Sequence, residues 1–133
     1  MGRHIRENDL VPDVILCSTA RRARQTLDLA KAGWDVPDIR FEDKLYHASP
    51  ERIVSLLGAL PDDVGHAMVV GHNPGFHALA ISLAKKGDAL GIAQMGEKYP
   101  TAALAVIDMA CEWRALGNQG GNLRVFVTPR SLS

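Results

Sequence analysis

Four residues in this sequence have the types and spacing to do chemistry together: Ser18, Arg22, His72 and Asn73. Each follows a short apolar run, at the point where a strand would hand over to a helix. Val-Ile-Leu-Cys at 14–17 precedes Ser18, and Ala-Met-Val-Val at 67–70 precedes Gly71 and His72. Runs this short read as buried strands rather than helices. Arg22 lies four residues after Ser18, so on a helix both project from one face of the first turn. A guanidinium grips two phosphate oxygens with fixed geometry, and an imidazole can donate to a third. Unpaired N–H groups at a helix start favour an anion. The two units therefore describe an oxyanion pocket at the carboxyl ends of strands, where an open α/β sheet holds its ligand. The plainer alternative is that His72 bonds a neighbouring backbone and the arginines are solvated.

The elements that must position these residues follow from the pattern. Residues 1–10 read as the end of an amphipathic helix, charged at Arg3, Arg6, Glu7 and Asp9 and broken by Pro12 and Asp13. After the first strand, the hydroxyls of Ser18 and Thr19 can cap a helix over 20–32 that Gly33 closes. Its apolar line is Ala23, Leu27 and Ala30, while Arg21, Arg22 and Arg24 crowd the first turn, where cations oppose the helix dipole. A bound anion would remove that conflict. Residues 36–38 form a linker, and 39–45, with Phe41, can make a strand.

Ser49, Pro50 and Glu51 start a helix that buries Ile53, Val54, Leu56, Leu57 and Leu60 and stops at Pro61. In the central unit Asn73 is the expected N-cap and Pro74 the first helical residue. The helical face is Phe76, Leu79, Ala80, Leu83 and Ala84, ended by Lys85, Lys86 and a C-cap Gly87. A glycine-dotted stretch over 87–100 holds a short helix through Leu90, Ile92 and Met95. Residues 101–109 and 123–127 form a strand pair, antiparallel or nearly so, joined through a turn-rich loop at 117–122.

Composition bounds the function. The 133 residues suit a single domain, 1–133, with its own core. Fifteen basic and fifteen acidic residues balance, which argues against general affinity for nucleic acid or membrane. Cys17 and Cys111 read as buried thiols in a reducing compartment rather than a disulfide scaffold. No apolar run reaches membrane-spanning length and no signal-peptide pattern opens the chain, so a cytoplasmic protein is expected. No metal or cofactor is expected: there is no Walker loop and no HExxH, and His72 with His77 has the wrong spacing for a helical metal pair.

At the two strand–turn–helix motifs the chain resembles the histidine phosphatase superfamily, also called phosphoglycerate mutase-like, and most closely its small SixA-like phosphohistidine phosphatases. The motifs are Cys17-Ser18-Thr19-Ala20-Arg21-Arg22-Ala23-Arg24-Gln25-Thr26 and Val70-Gly71-His72-Asn73-Pro74-Gly75, joined by Pro100-Thr101-Ala102-Ala103 and Phe126-Val127-Thr128-Pro129-Arg130. The resemblance implies a three-layer α/β/α fold with a mostly parallel sheet. It implies Arg22 as a phosphate-binding arginine and His72 as the second catalytic histidine, stabilising the phosphoryl group in transfer. Ser18 and Asn73 complete the expected phosphate site.

The family's nucleophile is a histidine in an Arg-His-Gly or Arg-His-Ala motif ending an N-terminal strand, and residues 1–133 contain neither. Arg3-His4-Ile5 is a decoy: no apolar strand precedes it, and branched Ile5 replaces the small residue. The expectation is a family member lacking its first strand–loop and most of its first helix, roughly 30 or more residues. The expected reaction is hydrolysis of phosphohistidine in a protein, or of a small phosphomonoester, through a phosphohistidine enzyme intermediate. Glu42, Asp43, His47 and Glu51 lie in the region of a general acid, though none matches an acid motif.

An inactive phosphate-binding module or fragment is the alternative. A purely structural α/β interaction domain would leave the pairing of Arg22 with His72 unexplained. The partner is thus a phosphorylated protein or small molecule, with a homo-oligomer expected where an interior strand is missing.

Overall fold

The structure, a computed structural model, describes residues 1–31, 33–34, 38–73, 75–100, 103–118 and 120–129. Expectations placed on Ala32, on 36–37, Pro74, 101–102 and Gln119, and on Arg130, lie outside these residues.

The strand β1, Val14–Ser18, is buried along its whole length. It lies between two parallel neighbours, β2 (Ile39–Glu42) and β3 (Ala67–Val70). An interior parallel strand is covered on both faces, which is why its run is apolar without alternation. Ile15 and Cys17 join one core cluster with Ile5 of α1 (Gly2–Glu7) and with Ala23 and Leu27 of α2 (Arg21–Ala30). Val14 and Leu16 join the opposite cluster with Ile53 and Leu57 of α3 (Pro50–Gly58) and Leu79 of α4 (Gly75–Leu83). Helices thus cover both faces, as expected for the three-layer fold. Asp13, just before β1, accepts from the Gly65 and His66 amides at 2.9 Å each, which ties the start of β1 to that of β3.

A second sheet comprises β4 (Ala84–Gly87), β5 (Leu104–Asp108) and β6 (Gly121–Val127) in the order β4-β6-β5. The β5–β6 pair is antiparallel, as the sequence pattern predicts, and β4–β6 is parallel. The expected short helix is α5 (Ala89–Glu97), capped by Asp88, whose carboxylate accepts from the Gly91 amide at 3.0 Å. Met95 of α5 packs with Leu123 and Phe126 of β6 and with Ala80 of α4. Among the described residues β3 pairs only with β1, and β5 only with β6. Their unpaired edges line one cavity of about 780 Å³, through Met68, Val69, Leu104 and Val106 among others.

Several boundaries differ from the sequence reading. The 39–45 segment is a strand only to Glu42, because Asp43–Leu45 turn in a 3₁₀ conformation that drives Leu45 fully into the core. Asp43 accepts there from the Thr19 hydroxyl at 2.8 Å. Thr19 is therefore occupied by the turn rather than capping α2, whose N-cap residue is Ala20. The helix α4 ends at Leu83, and the two lysines lie in β4 instead of closing it. The backbone of β6 offers that segment a ladder, and Gly87 makes the approach possible. Its φ is +123°, and a Cβ there would overlap the Leu123 backbone. The expected loop at 117–122 divides between a 3₁₀ segment, Trp113–Asn118, and the start of β6.

Candidate functional site

Parallel register assembles the site. Cys17 of β1 lies opposite Val70 of β3, so the two chains leave the sheet side by side. Ser18 Oγ then comes to 3.0 Å from His72 Nε2. Ser18 is fully buried and also accepts from the Ala20 amide at 3.3 Å. Its hydroxyl can donate to a bare Nε2 or accept from a protonated one, so it holds the ring in either tautomer.

The two units open onto one recess of about 590 Å³, whose lining includes Arg21, Arg22, His47, His72, Asn73 and Tyr99. Arg22 and His72 are brought together as expected. No carboxylate lines the recess among the described residues. The remaining arginine of the cluster plays a different part: Arg24 donates to the Thr19 carbonyl at 3.0 Å and lies 4.3 Å from the Phe41 ring centre. Asn73 is committed at both ends of its amide. Its Oδ1 accepts from the His77 amide at 3.1 Å, as a cap would, and its Nδ2 donates to the Tyr99 carbonyl at 2.8 Å. Ser18 sits behind His72 rather than in the lining.

Of the four acid candidates only His47 lines the recess; Glu42, Asp43 and Glu51 do not. Tyr46, which the sequence reading did not weigh, packs edge-on to both imidazoles, 4.2 Å from the His47 ring centre and 5.4 Å from that of His72. The sequence signal for this turn is the pair of small or apolar flanks, Leu45 and Ala48, both of which prove buried. The decoy His4 lies on α1 with its ring against Asn8, outside the recess lining. Among the described residues no group of side chains could hold a metal ion, and His77 is turned toward the Met95 carbonyl.

Burial, followed by the neighbouring His47, holds the His72 imidazole below its ordinary 6.5. At neutral pH it is therefore a neutral ring, able to donate one hydrogen bond without repelling Arg22. Burial also pushes the Tyr99 phenol up to about 12, so it enters the recess as an uncharged group. A guanidinium, a second arginine and a neutral donor around a recess with no carboxylate among its described lining residues favour a multiply charged oxyanion.

No family model matches the chain. An uncharacterized protein of Mycobacterium tuberculosis is 41% identical over 131 residues, covering 97% of this chain and 81% of the relative. One of Mycobacterium leprae is 34% identical over 130 residues, covering 97% and 79%. Among solved structures, a protein of Agrobacterium tumefaciens assigned as the phosphohistidine phosphatase SixA is 33% identical, with a TM-score of 0.75 over 96% of this chain and 75% of that one. A likewise assigned SixA of Nakamurella gives a TM-score of 0.83 at 26% identity, over 96% and 77%. A protein histidine phosphatase SixA complexed with tungstate shares the fold, with a TM-score of 0.76 at 18% identity over 99% and 78%. The chain belongs to the histidine phosphatase superfamily, with the phosphoglycerate mutase-like fold of its SixA group. Its enzyme class is that of a phosphatase-like hydrolase. Among the described residues no helix is long and apolar enough to cross a membrane.

Proposed function

We propose that the recess binds the phosphoryl group of a phosphohistidine-bearing protein or of a small phosphomonoester, and that its hydrolysis passes through a phosphohistidine on the enzyme. The observation that carries this reading is that Arg22 and His72, from two separate strand–turn–helix units, line one recess without a carboxylate among its described lining residues. Phosphoryl transfer asks the protein mainly for positioning and for stabilisation of charge spread over the equatorial oxygens. Arg22 supplies a fork for two of those oxygens, and His72, held from behind by Ser18 at 3.0 Å, donates to another. Asn73 contributes by fixing the start of α4 beside the recess. With an imidazole as leaving group, the ring can depart protonated, and a strong acid is unnecessary.

Residues 1–133 contain no Arg-His-Gly or Arg-His-Ala, the motif expected to bear the nucleophile. That observation favours a second reading for this stretch by itself, a phosphate-binding module without turnover. Both readings share the pocket and differ in one assay. Residues 1–133 are expected to release phosphate from a phosphohistidine peptide only at a residual rate, because removing a member of a catalytic unit leaves binding-derived catalysis alone. They are still expected to bind inorganic phosphate weakly, less well with Arg22→Ala and unchanged with Arg114→Ala. Full turnover would refute the need for that motif. Equal losses in the two variants would refute the pocket.

A further inference from the structure

Resting on the oxyanion reading just given, we infer that His47 is a further phosphoryl ligand of this site, donating to the oxyanion beside His72 in the recess that Arg22 also lines. His47 lies in the turn between the 3₁₀ segment Asp43–Leu45 and α3, with a φ of +51°. A left-handed conformation costs a side chain other than glycine about 1–2 kcal/mol. The other such residue, Asp9, is at an ordinary place for it, just past the end of α1. His47 stands likewise just past the C-cap, Tyr46, of the 3₁₀ segment, and packing holds it there from both sides. Leu45 is fully buried before it and Ala48 is buried after it. The Ala48 carbonyl is met by Gly75 at the start of α4 so closely that any Cβ there would overlap it.

This packing carries the turn against the unit that bears His72. The two imidazole centres stand 5.8 Å apart, with Tyr46 edge-on to both. Neither His47 ring nitrogen has a hydrogen-bond partner among the described residues, unlike His72, which has Ser18. His47 is exposed to the recess that Arg21 and Arg22 also line. The charged or titratable groups that share the recess with it are Arg21 and Arg22 of α2, Tyr46 of its own turn, His72 after β3, Tyr99 after α5 and Met1 at α1, and Asp43 and Lys44 lie in the 3₁₀ segment just before it. Of these only Asp43 is acidic, and its Oδ1 accepts from the Thr19 hydroxyl. A bound anion is thus what would satisfy the His47 donor and relieve its repulsion of a protonated His72.

Sulfate is the probe, because its charge does not change near neutral pH. Its binding is followed by the ring-proton signals of the histidines, with His47→Gly, His47→Gln and Arg22→Ala compared. Glycine accepts the left-handed backbone without strain, so loss of the turn is not the cause of any effect. His47→Gly is expected to weaken sulfate binding about tenfold, as loss of a charge-assisted hydrogen bond would. His47→Gln, which keeps a donor, should recover part of it. In sulfate-free protein His72 should titrate higher in His47→Gly than in the parent. Parent-like sulfate binding by His47→Gly, while Arg22→Ala is weakened, would overturn the inference and leave the site standing. No binding by the parent, or none lost with Arg22→Ala, would overturn the site and the inference with it.

Discussion

At the level of single residues, two protonation states separate the working part of this molecule from its core. The folded protein holds the His72 imidazole below its ordinary 6.5, first by burial and then through His47. The unfolded chain therefore takes up a proton before the folded one does. Stability contributed by the neutral ring is present above about 6.5 and falls as pH drops below it. Chemical denaturation at descending pH should show this loss, and His72→Asn should flatten it. Sulfate reverses the sign, since an anion favours the protonated ring, so its affinity should rise as pH falls through the same range. Cys17 contrasts with this. Burial pushes its thiol up to about 11, so it should resist alkylation at pH 8 while the less buried Cys111 reacts first.

Ser18 was expected to bind phosphate, and the structure instead sets its hydroxyl against His72, outside the recess lining. Spacing places Ser18 and Arg22 together on one helical turn, whereas the register that sets Ser18 beside His72 belongs to two strands 53 residues apart in start position, from Val14 to Ala67. No local pattern encodes that. Ser18→Ala leaves His72 Nε2 and the Ala20 amide without this partner and should cost about 1–3 kcal/mol in stability, read by denaturant midpoint. His47 was visible only as a candidate acid, because its left-handed turn follows from packing at Leu45, Ala48 and Gly75.

Among the elements, what the sequence made plain was whatever buries a continuous apolar set. The strands β1 and β3, the Ser49-capped α3 and the antiparallel β5–β6 pair all follow from runs or caps that tertiary contacts reinforce. The helix α2 buries the very line read for it, Ala23, Leu27 and Ala30. Leu27→Ala should cost about 2–5 kcal/mol, because the side chain is almost fully enclosed between α1 and β1. The lysine segment failed for a physical reason. Lys85 and Lys86 carry the charge of a helix end, but β6 presents a strand edge that pairs with Ala84, Lys86 and Gly87, with Lys85 at a register shift. Gly87→Ala separates the two roles. As a helix cap its left-handed backbone alone would cost about 1–2 kcal/mol, whereas in β4 the new Cβ also meets the Leu123 backbone, and a loss above about 2 kcal/mol is expected in thermal unfolding.

For the molecule as a whole, the division into two three-stranded sheets has the largest consequence. The edges of β3 and β5 face a common cavity lined by apolar side chains from both. Unpaired edges recruit other strands. Residues 1–133 are therefore expected to self-associate through β3, read by light scattering after size exclusion; a clean monomer with strong amide protection across Ala67–Val70 would contradict this. The Val14–Cys17 segment offers no such edge, because β1 is paired on both sides. The balanced sequence charge meets a local exception in the recess, where two arginines and two histidines gather without a carboxylate among the described lining residues. The most direct test of that account is an amide-resolved NMR titration with inorganic phosphate. Saturable shifts confined to Ser18–Arg22, His47 and Gly71–Asn73, lost with Arg22→Ala, are the predicted result. Shifts scattered over surface lysines and arginines, unchanged by Arg22→Ala, would contradict it.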